Sequence, residues 1–403
     1  MSDASELADR VAAGELRLHE LEEHADAETA AAARRTVIRN ATDGNLDAIG
    51  EAAFDADAAT GNVENLIGAA HVPMGVAGPV PIQGEAAEGE YYLPLATSEG
   101  ALVASVNRGL GTIAASGGAE ARVIESKMTR APVFRTDGVA SSTAVAEWAR
   151  GNQDELAAAA ESTTSHGELR AVTPYIVGEN VFLRFAYDTK DAMGMNMATI
   201  ATEAACEVVE ANTDAELIAL SGNLCTDKKP AAINAIGGRG RTVAADVTIP
   251  HEVVEERLHT TAEAIAEVNT RKNHVGSAKA GSLGFNAQAA NVVAAMYLAT
   301  GQDAAQVVEG ANAITTAEAR EDGLYLSVTL ASLEVGTVGG GTTLATQSEA
   351  LDLLGVRGGG DPPGTNADAF AELIAAGALA GECSLLAAMA SRHLASAHAE
   401  LGR

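Results

Sequence analysis

The chain has 403 residues, 47% of them hydrophobic and 20% charged, with 55 acidic against 26 basic residues and a formal net charge of −29. A chain this long and apolar buries substantial cores, which excludes a disordered acidic polymer and predicts a soluble globular protein of two or three domains. Such a negative surface repels phosphate backbones and anionic lipid, and the sequence shows no basic patch. Neither nucleic acid nor a membrane is an expected partner.

Lysine is scarce in this chain. Only six of the basic residues are lysines, at positions 127, 190, 228, 229, 272 and 279. A carboxylate-rich, lysine-poor surface stays hydrated in concentrated salt, where the Debye length is about 3 Å at 1 M. The acidic start, MSDASELADRVAAGELRLHELEEHADAE, lacks the basic region and apolar run of a signal peptide. We therefore expect a cytoplasmic protein of a halophile.

The first half of the chain changes pattern several times. Residues 1–67 alternate charged and alanine-rich stretches, which predicts a helical N-terminal segment for packing or oligomerisation. From His71, HVPMGVAGPVPIQG and EYYLPLA predict short strands and turns. SEGALVASVNRGLGTIAAS then predicts a buried helix capped by Thr97 or Ser98, with Glu99 in its first turn.

In residues 132–220, predicted strands and helices alternate in an order that the flanking parts of the chain do not show. VFRTDGVAS reads as a strand, STAVAEWARGNQDELAAAAES as a helix, VTPYIVGENVFLRFAYDT as two strands, MNMATIATEAACEVVEANT as a helix and AELIALSG as a strand. This order predicts an inserted ferredoxin-like (βαββαβ) domain within a large, mostly helical domain of residues 68–131 and 221–403. The latter closes with two helices, AFAELIAAGALAG and SLLAAMASRHLASAHAE, and the uncharged stretch 280–302 is expected to hold a buried core helix. The predicted fold class is α+β.

The segment SGNLCTDKKPAAINAIGGRGR carries the clearest chemical signal. Lys228 and Lys229 follow Asp227 in a predicted loop of a chain that avoids lysine. Adjacent ammoniums depress each other's pKa unless a carboxylate compensates, and such lysines polarise a carbonyl or form a Schiff base. The alternative is a solvated basic pair, which the composition disfavours.

Two carboxylates are candidate partners of this loop. Glu99 is either a helix-dipole or capping residue or, if buried with a raised pKa, a proton donor. Asp303, in GQDAAQ, either ends a helix or completes a Glu, Lys and Asp network. His393 and His398 lie on different helical faces, about 140° apart, and the three cysteines are scattered, so neither a metal site nor a disulfide framework is expected.

Two glycine-containing segments suit an anionic ligand. DAMGMNM (191–197) falls at a predicted strand-to-helix turn, where backbone amides accept an anion, although its methionines are equally typical of core packing. VGTVGGGTT (335–343) is too flexible for a helix and predicts a loop of close approach. The nearest Rossmann pattern, at residues 109–114, follows a helix where a strand is required, so that fold is not expected.

Together these segments resemble one family, 3-hydroxy-3-methylglutaryl-CoA (HMG-CoA) reductase, of the class I found in eukaryotes and archaea. The similarity extends from about Glu64 and includes, in order, ENLIG, PMGVAGPV, ATSEGALVASVNRG, MTRAPV, DAMGMNM, SGNLCTDKKPAAIN, GFNAQAANVV, GQDAAQ, VGTVGGGT and RHLASAH. The resemblance implies a four-electron reduction of HMG-CoA to mevalonate and CoA through mevaldyl-CoA and mevaldehyde, with two NADPH and no metal. It implies a large HMG-CoA domain, a small NADPH domain, and a homodimer or dimer of dimers with sites at the subunit interface.

The resemblance also implies roles for individual residues. Lys228 would stabilise the carbonyl oxygen as it becomes negative, Asp303 would keep Lys228 charged, Glu99 would protonate mevaldehyde, and His398 would protonate the departing CoA thiolate. The implied substrate residues are Arg130, Ser221, Asn223, Asp227, Lys229 and Asn291 around HMG, with Arg108 towards the CoA phosphates. The implied cofactor residues are Asp191, Met193, Gly194, Met195, Asn196, Met197, Val338, Gly339, Gly340, Thr342 and Arg403.

The sequence departs from the family pattern in two places. His166, in TTSHGEL, stands where the family has an arginine beside the cofactor, and the chain ends at Arg403 without the serine that is phosphorylated in animal members. On residue chemistry alone, the rival functions are a lyase or decarboxylase that forms a Schiff base at Lys228 and a non-enzymatic acidic binding protein.

Overall fold

The computed structural model describes residues 3–42 and 44–391 and places helices around one mixed sheet. The N-terminal part is helical, in agreement with its alternating charged and alanine-rich pattern. Leu7, Leu21, Ala30 and Ala33 form a small hydrophobic cluster there. The helices of this part are α1 (Ala4–Ala12), a 3₁₀ turn (Leu18–Glu23), α2 (Ala27–Thr42), α3 (Asp47–Gly50) and α4 (Ala56–Ala59).

The next elements begin the sheet. They are β1 (Met74–Gly84), β2 (Glu88–Ala96), α5 (Leu102–Ala115) and β3 (Ala119–Arg130). β1 and β2 are antiparallel neighbours, and β1 also pairs in parallel with β3. α5 packs closely on a long C-terminal helix, since a Cβ on Gly109 would lie 2.0 Å from the carbonyl oxygen of Ala380. Only glycine permits that approach.

A four-stranded antiparallel region follows. Its strands lie in the order β7-β4-β6-β5, and its helices pack on one another and on the sheet. The first helix is divided in two because Asn152 leaves the helical path and its side-chain amide donates to the carbonyl of Trp148. The elements are β4 (Val133–Arg135), α6 (Val139–Gly151), α7 (Gln153–Glu161), β5 (Glu168–Val177), β6 (Asn180–Asp188), α8 (Met195–Asn212) and β7 (Glu216–Ala219).

The remaining chain contains more sheet than the sequence predicts. Helices make up most of the secondary structure after residue 221, as predicted, but three long strands that the sequence did not predict join β3 in the order β3-β8-β10-β9. Buried and half-buried residues alternate along β8 and β10, the two-residue period of a strand. The elements are α9 (Ala232–Gly237), β8 (Gly240–Pro250), α10 (His251–Val253), α11 (Ala262–Val268), α12 (Ser277–Ala280), α13 (Ala289–Thr300), α14 (Val307–Gly310), β9 (Ala313–Arg320), β10 (Gly323–Leu333), α15 (Ala345–Leu353) and α16 (Thr365–Ala390), with π-helical turns at Val254–Leu258 and Asn269–Gly276 and 3₁₀ turns at Ala304–Gln306 and Gly340–Thr343.

α16 is the central helix of the main core. The sequence predicts two closing helices, but the described part is one helix that packs on α5, α13, β3, β8 and β10. It is long and apolar enough to cross a membrane, yet 83% of its most apolar window is buried. A buried core helix has this composition too. The uncharged stretch 280–302 likewise contains the buried helix α13.

Candidate active site

Both lysines lie in the loop between β7 and α9. Three non-glycine residues of this loop have left-handed backbone conformations, Asn223 (φ 63°), Thr226 (φ 54°) and Lys228 (φ 58°). Each such conformation costs of order 1 kcal/mol or more and persists only where the surroundings enforce it. The loop is therefore held in place by its neighbours, unlike a solvated basic pair.

Lys228 forms an ion pair with Asp303. Its Nζ lies 2.8 Å from Asp303 Oδ2, and Asp303 also caps the 3₁₀ turn after α13 by accepting from the Ala305 N–H at 3.0 Å. The hydrogen bond that the Lys228 ammonium donates to Asp303 raises the pKa of Lys228 above its ordinary value. A Schiff-base lysine needs a lowered pKa, so this geometry disfavours the lyase alternative.

The neighbours of Lys228 are held as firmly. Asp227 Oδ1 accepts a hydrogen bond from Gln306 Nε2 at 2.9 Å and lies 3.2 Å from Arg239 Nη2. Lys229 is exposed and donates to the carbonyl of Asp227 at 3.0 Å. Sequence reasoning assigned no role to Arg239 or Gln306, although Arg239 lies in SGNLCTDKKPAAINAIGGRGR and Gln306 in GQDAAQ.

Two further expected substrate residues border this loop. Ser221 Oγ lies 3.6 Å from Cys225 Sγ. Arg130 ends β3, and its Nε is a buried donor that no group in the described part of the chain accepts from. A buried guanidinium nitrogen without an acceptor suits an anionic ligand.

Glu99 lies elsewhere. It is not in the first turn of α5 but in the turn before it, because Ala101 adopts a left-handed conformation (φ 68°) from which the helix starts. Thr97 Oγ1 accepts the Glu99 N–H at 3.0 Å, and Glu99 Oε1 accepts from Asn291 Nδ2 at 3.2 Å. Glu99 is exposed in the single chain, contrary to the burial expected of a proton donor.

Helix α13 separates the two pairs. Asn291 lies at its start and Asp303 just beyond its end. Twelve residues at 1.5 Å each span about 18 Å, and the side chains of both residues are committed to their partners. Within one chain, Glu99 and Lys228 therefore belong to different ends of α13.

The two glycine-containing segments line one cavity. Its volume is about 630 Å³, and Asp303 lies on its wall. The two segments contact each other directly. The Thr337 N–H donates to the Asp191 carbonyl at 2.8 Å, and Ala192 and Val338 form an isolated parallel β-bridge. DAMGMNM lies at a strand-to-helix turn, as predicted, with Gly194 (φ 83°) before the first residue of α8. The other lining residues are Asn62, Ala192–Met197, Gly301, Gln302, Gly336 and Val338–Thr342.

Asp191 does not face this cavity. Its side chain is 5% exposed, and its carboxylate accepts from the N–H groups of Gly360 at 2.9 Å, Gly364 at 2.7 Å and Ala367 at 3.1 Å. Backbone donors at and before the start of α16 occupy both carboxylate oxygens, so the carboxylate holds the loop, and the contact of Asp191 with a dinucleotide stays a prediction.

The remaining expected residues have separate positions. Arg108 is exposed, and its guanidinium donates to Ser384 Oγ at 3.0 Å and to the Ser384 carbonyl at 2.6 Å on α16. His166 is exposed in the turn between α7 and β5. His398 and Arg403 lie outside the described residues. Within residues 3–42 and 44–391, no group of three or more potential ligands is placed to hold a metal.

Comparison with known proteins identifies the family. The profile of hydroxymethylglutaryl-coenzyme A reductase matches residues 30–403. The chain is 73% identical to the 3-hydroxy-3-methylglutaryl-coenzyme A reductase of Halobacterium salinarum, over 100% of this chain and 99% of that one. It is 69% identical to the reductase of the same name from Haloferax volcanii, over the full length of both.

A solved structure has the same fold. The class II 3-hydroxy-3-methylglutaryl-CoA reductase of Streptococcus pneumoniae, bound to NADPH, matches with a TM-score of 0.67 and 22% identity over 83% of this chain and 79% of that chain. This likeness concerns the fold, whereas the profile and the archaeal relatives concern the sequence. The chain belongs to the hydroxymethylglutaryl-CoA reductase family.

Proposed function

We propose that the protein is a class I HMG-CoA reductase that reduces HMG-CoA to mevalonate and free CoA with two NADPH, in the mevalonate pathway of isoprenoid synthesis in a halophile's cytoplasm. The observation that carries the proposal is the Lys228 and Asp303 ion pair beside the cavity lined by both glycine-containing loops. The high identity to archaeal reductases and the low identity to the class II structure favour class I.

The cavity fits a nicotinamide dinucleotide. Gly339 and Gly340 present bare backbone, and the eighteen-residue helix α8 begins at the same cavity. Backbone amides and helix N-termini bind diphosphate groups well. When bound there, NADPH supplies a hydride. We propose that residues 132–220 form this cofactor domain, that residues 68–131 and 221–403 form the HMG-CoA domain, and that residues 1–67 are a helical N-terminal segment.

Lys228 and Glu99 divide the chemistry between them. A carbonyl oxygen that receives negative charge is stabilised by the fixed Lys228 ammonium, which Asp303 orients and keeps charged. Glu99 then supplies a proton to the mevaldehyde oxygen, and His398 protonates the CoA thiolate so that it does not recapture the aldehyde. Arg130 offers its unpaired Nε to the HMG carboxylate.

These groups meet only if two chains share a site. Within one chain, Glu99 and Lys228 contact residues at opposite ends of α13, a helix about 18 Å long. In a symmetric dimer, Lys228 and Asp303 of one chain face Glu99 and Asn291 of the other, and the symmetry generates two identical sites. We therefore propose a homodimer, or a dimer of dimers, as the active form.

The reaction is tested by the absorbance of NADPH at 340 nm. Oxidation that requires HMG-CoA, in concentrated KCl, with mevalonate and CoA as products, supports the proposal. Absence of oxidation in any salt by folded protein contradicts it. NADH in place of NADPH measures how far the His166 position relaxes cofactor preference.

The shared site is tested by mixing two inactive variants. Chains that carry Lys228→Ala or Glu99→Gln are coexpressed with different tags and purified as mixed dimers. One of the two sites in each mixed dimer then has both wild-type residues, so mixed dimers recover about half of the wild-type activity. Sites contained within single chains would leave the mixed dimer as inactive as either parent.

A further inference from the structure

A buried group of charges behind the lysine loop is not used by the proposed mechanism. Arg239, Glu309 and Glu334 have fully buried side chains. Burying a charge costs several kcal/mol unless it is paired and hydrogen-bonded. Because this group contacts the loop that carries Lys228, it can influence the position of the lysine.

A row of three side chains, those of Asp303, Gln306 and Glu309, contacts the loop that carries Lys228. Asp303, Gln306 and Glu309 are three residues apart along the 3₁₀ turn and the start of α14, and side chains three apart eclipse in a 3₁₀ helix. Each contacts the loop. Asp303 pairs with the Lys228 ammonium at 2.8 Å, Gln306 donates to the Asp227 carboxylate at 2.9 Å, and Glu309 accepts the Lys228 N–H at 3.3 Å.

We infer that Glu309 is a positioning residue for Lys228, which fixes the lysine backbone in its left-handed conformation so that the ammonium stays beside Asp303. The inference rests on the proposed role of Lys228 in the reaction. A left-handed lysine has little intrinsic preference for this conformation, and Glu309 is the carboxylate that holds its N–H.

The charge on Glu309 is fixed by its neighbours. Arg239 Nη1 donates to Glu309 Oε2 at 2.9 Å and to Glu334 Oε1 at 3.1 Å. Burial, and next the charge of Glu309, raise the pKa of Glu334 well above its ordinary value. Burial raises the pKa of Glu309 as well. We expect the proton on the fully buried Glu334, so that Glu309 carries the negative charge that Arg239 balances.

The two carboxyl groups differ in what they contact. Glu309 accepts from the Lys228 N–H and, at 2.7 Å, from Asn234 Nδ2. Glu334 makes no hydrogen bond to the loop of residues 221–231 in the described structure. An effect on Lys228 through a direct contact with its loop is therefore expected of Glu309 and not of Glu334.

The test compares the same substitution at both positions. In Glu334→Gln, the amide oxygen accepts from Arg239 and the side chain stays neutral, as the protonated acid is. In Glu309→Gln, the side-chain NH₂ group is itself a donor. It cannot accept hydrogen bonds from the Lys228 N–H and the other donors that the carboxylate accepts from. We expect Glu309→Gln to lower kcat by about 10- to 100-fold, because hydrogen bonds to charged groups contribute about 1.5–3 kcal/mol. Its KM for NADPH should stay within about twofold, since the cofactor loops are not touched.

Each outcome is decisive. Glu334→Gln should keep kcat at pH 7 within about threefold of the wild type, in keeping with the neutral state of the group it replaces. Equal kcat losses in both variants, or no loss in Glu309→Gln, overturn the positioning role. A wild-type protein that does not oxidise NADPH with HMG-CoA overturns the proposed function instead.

A second variant covers a failure of Glu309→Gln to fold. Gln306→Met removes the hydrogen bond to Asp227 and a longer one from Arg239 at 3.3 Å, and it leaves the ion pairs of Arg239 with Glu309 and Glu334 in place. We expect its kcat to fall by about tenfold with NADPH binding retained, because the loop loses a hydrogen bond to the Asp227 carboxylate and bonds to charged groups contribute more than neutral ones. An unchanged kcat in this variant contradicts the idea that the row positions the loop.

Discussion

The two ends of helix α13 hold their functional residues in different ways. At the end near Asp303, Lys228 has a left-handed backbone. The ion pair with Asp303 and the buried carboxylate of Glu309 hold it in place. At the other end, Glu99 lies exposed in a turn and its carboxylate has one partner, Asn291. We call these the lysine end and the glutamate end.

The difference shows what one chain completes by itself. The lysine end has an oriented cation before any assembly, because Lys228 is held by Asp303 and Glu309 of its own chain. Preorganised charge is the largest contribution to many enzymatic rate enhancements. In the proposed function, Glu99 is the proton donor and the partner chain completes its environment. The properties of the glutamate end should then depend on dimer formation, while those of the lysine end should not.

The largest effect is expected at the lysine end. Lys228→Ala removes the fixed charge opposite the developing oxyanion, and we expect kcat to fall by about 10³-fold. Thermal unfolding should change little, since the lysine side chain is 46% exposed. Steady-state kinetics and calorimetry in concentrated KCl measure both.

Lys229→Ala is the matched control for this variant. Lys229 is exposed and donates only to a carbonyl of its own loop, so its loss should raise KM for HMG-CoA more than it lowers kcat. If Lys229→Ala lowered kcat as much as Lys228→Ala, the assignment of the catalytic lysine would be wrong.

Glu99→Gln tests the other end. Removing a general acid typically costs 10²-fold or more, and we expect kcat to fall by about 10² with a melting temperature like that of the wild type. The loss should be the same with added mevaldehyde as substrate, because the proton is delivered at that step. A variant with normal mevaldehyde reduction would show that Glu99 is not the donor.

Asp303→Asn sharpens the comparison through pH. Asp303 raises the pKa of Lys228, and Lys228 acts as the charged form. Without that carboxylate the pKa falls, so activity should be lost on the alkaline side at a lower pH than in the wild type. At pH 7 the lysine remains charged, and a loss of about tenfold is expected from poorer orientation alone. If kcat fell at the same alkaline pH in both proteins, Asp303 would not control the protonation of Lys228.

The sequence predicts some of this site and misses the rest for physical reasons. Rare lysines and glycine-containing turns are local features of the sequence. The lysines therefore lie in a loop and DAMGMNM at a strand-to-helix turn, as the sequence predicts. Glu99 was misplaced because an alanine at position 101 carries no sequence sign of a left-handed conformation. Glu309 was missed because its contact with Lys228 joins residues 81 positions apart, and only the folded chain shows that contact.

The smallest effect concerns the start of α13 at the glutamate end. Glu382 on α16 is fully buried and accepts from the N–H groups of Ala287 at 2.7 Å and Gln288 at 2.6 Å and from Thr315 Oγ1 at 2.8 Å. Glu382→Gln turns an NH₂ group towards some of these donors, so the free energy of unfolding should fall by about 2 kcal/mol. Because the same contacts fix the beginning of the helix that carries Asn291, kcat should also fall several-fold.

Glu372→Gln provides the control on the same helix. Glu372 accepts from the N–H groups of Glu85 at 3.2 Å, Ala86 at 3.0 Å and Ala87 at 2.7 Å, in the turn between β1 and β2 and away from α13. Its loss should cost a similar free energy of unfolding, by denaturant titration in KCl, while kcat stays unchanged. Equal kcat losses in the two variants would mean that stability alone lowers the activity. A loss confined to Glu382→Gln would instead show that the start of α13 positions Asn291, and through it Glu99, for the partner chain's site.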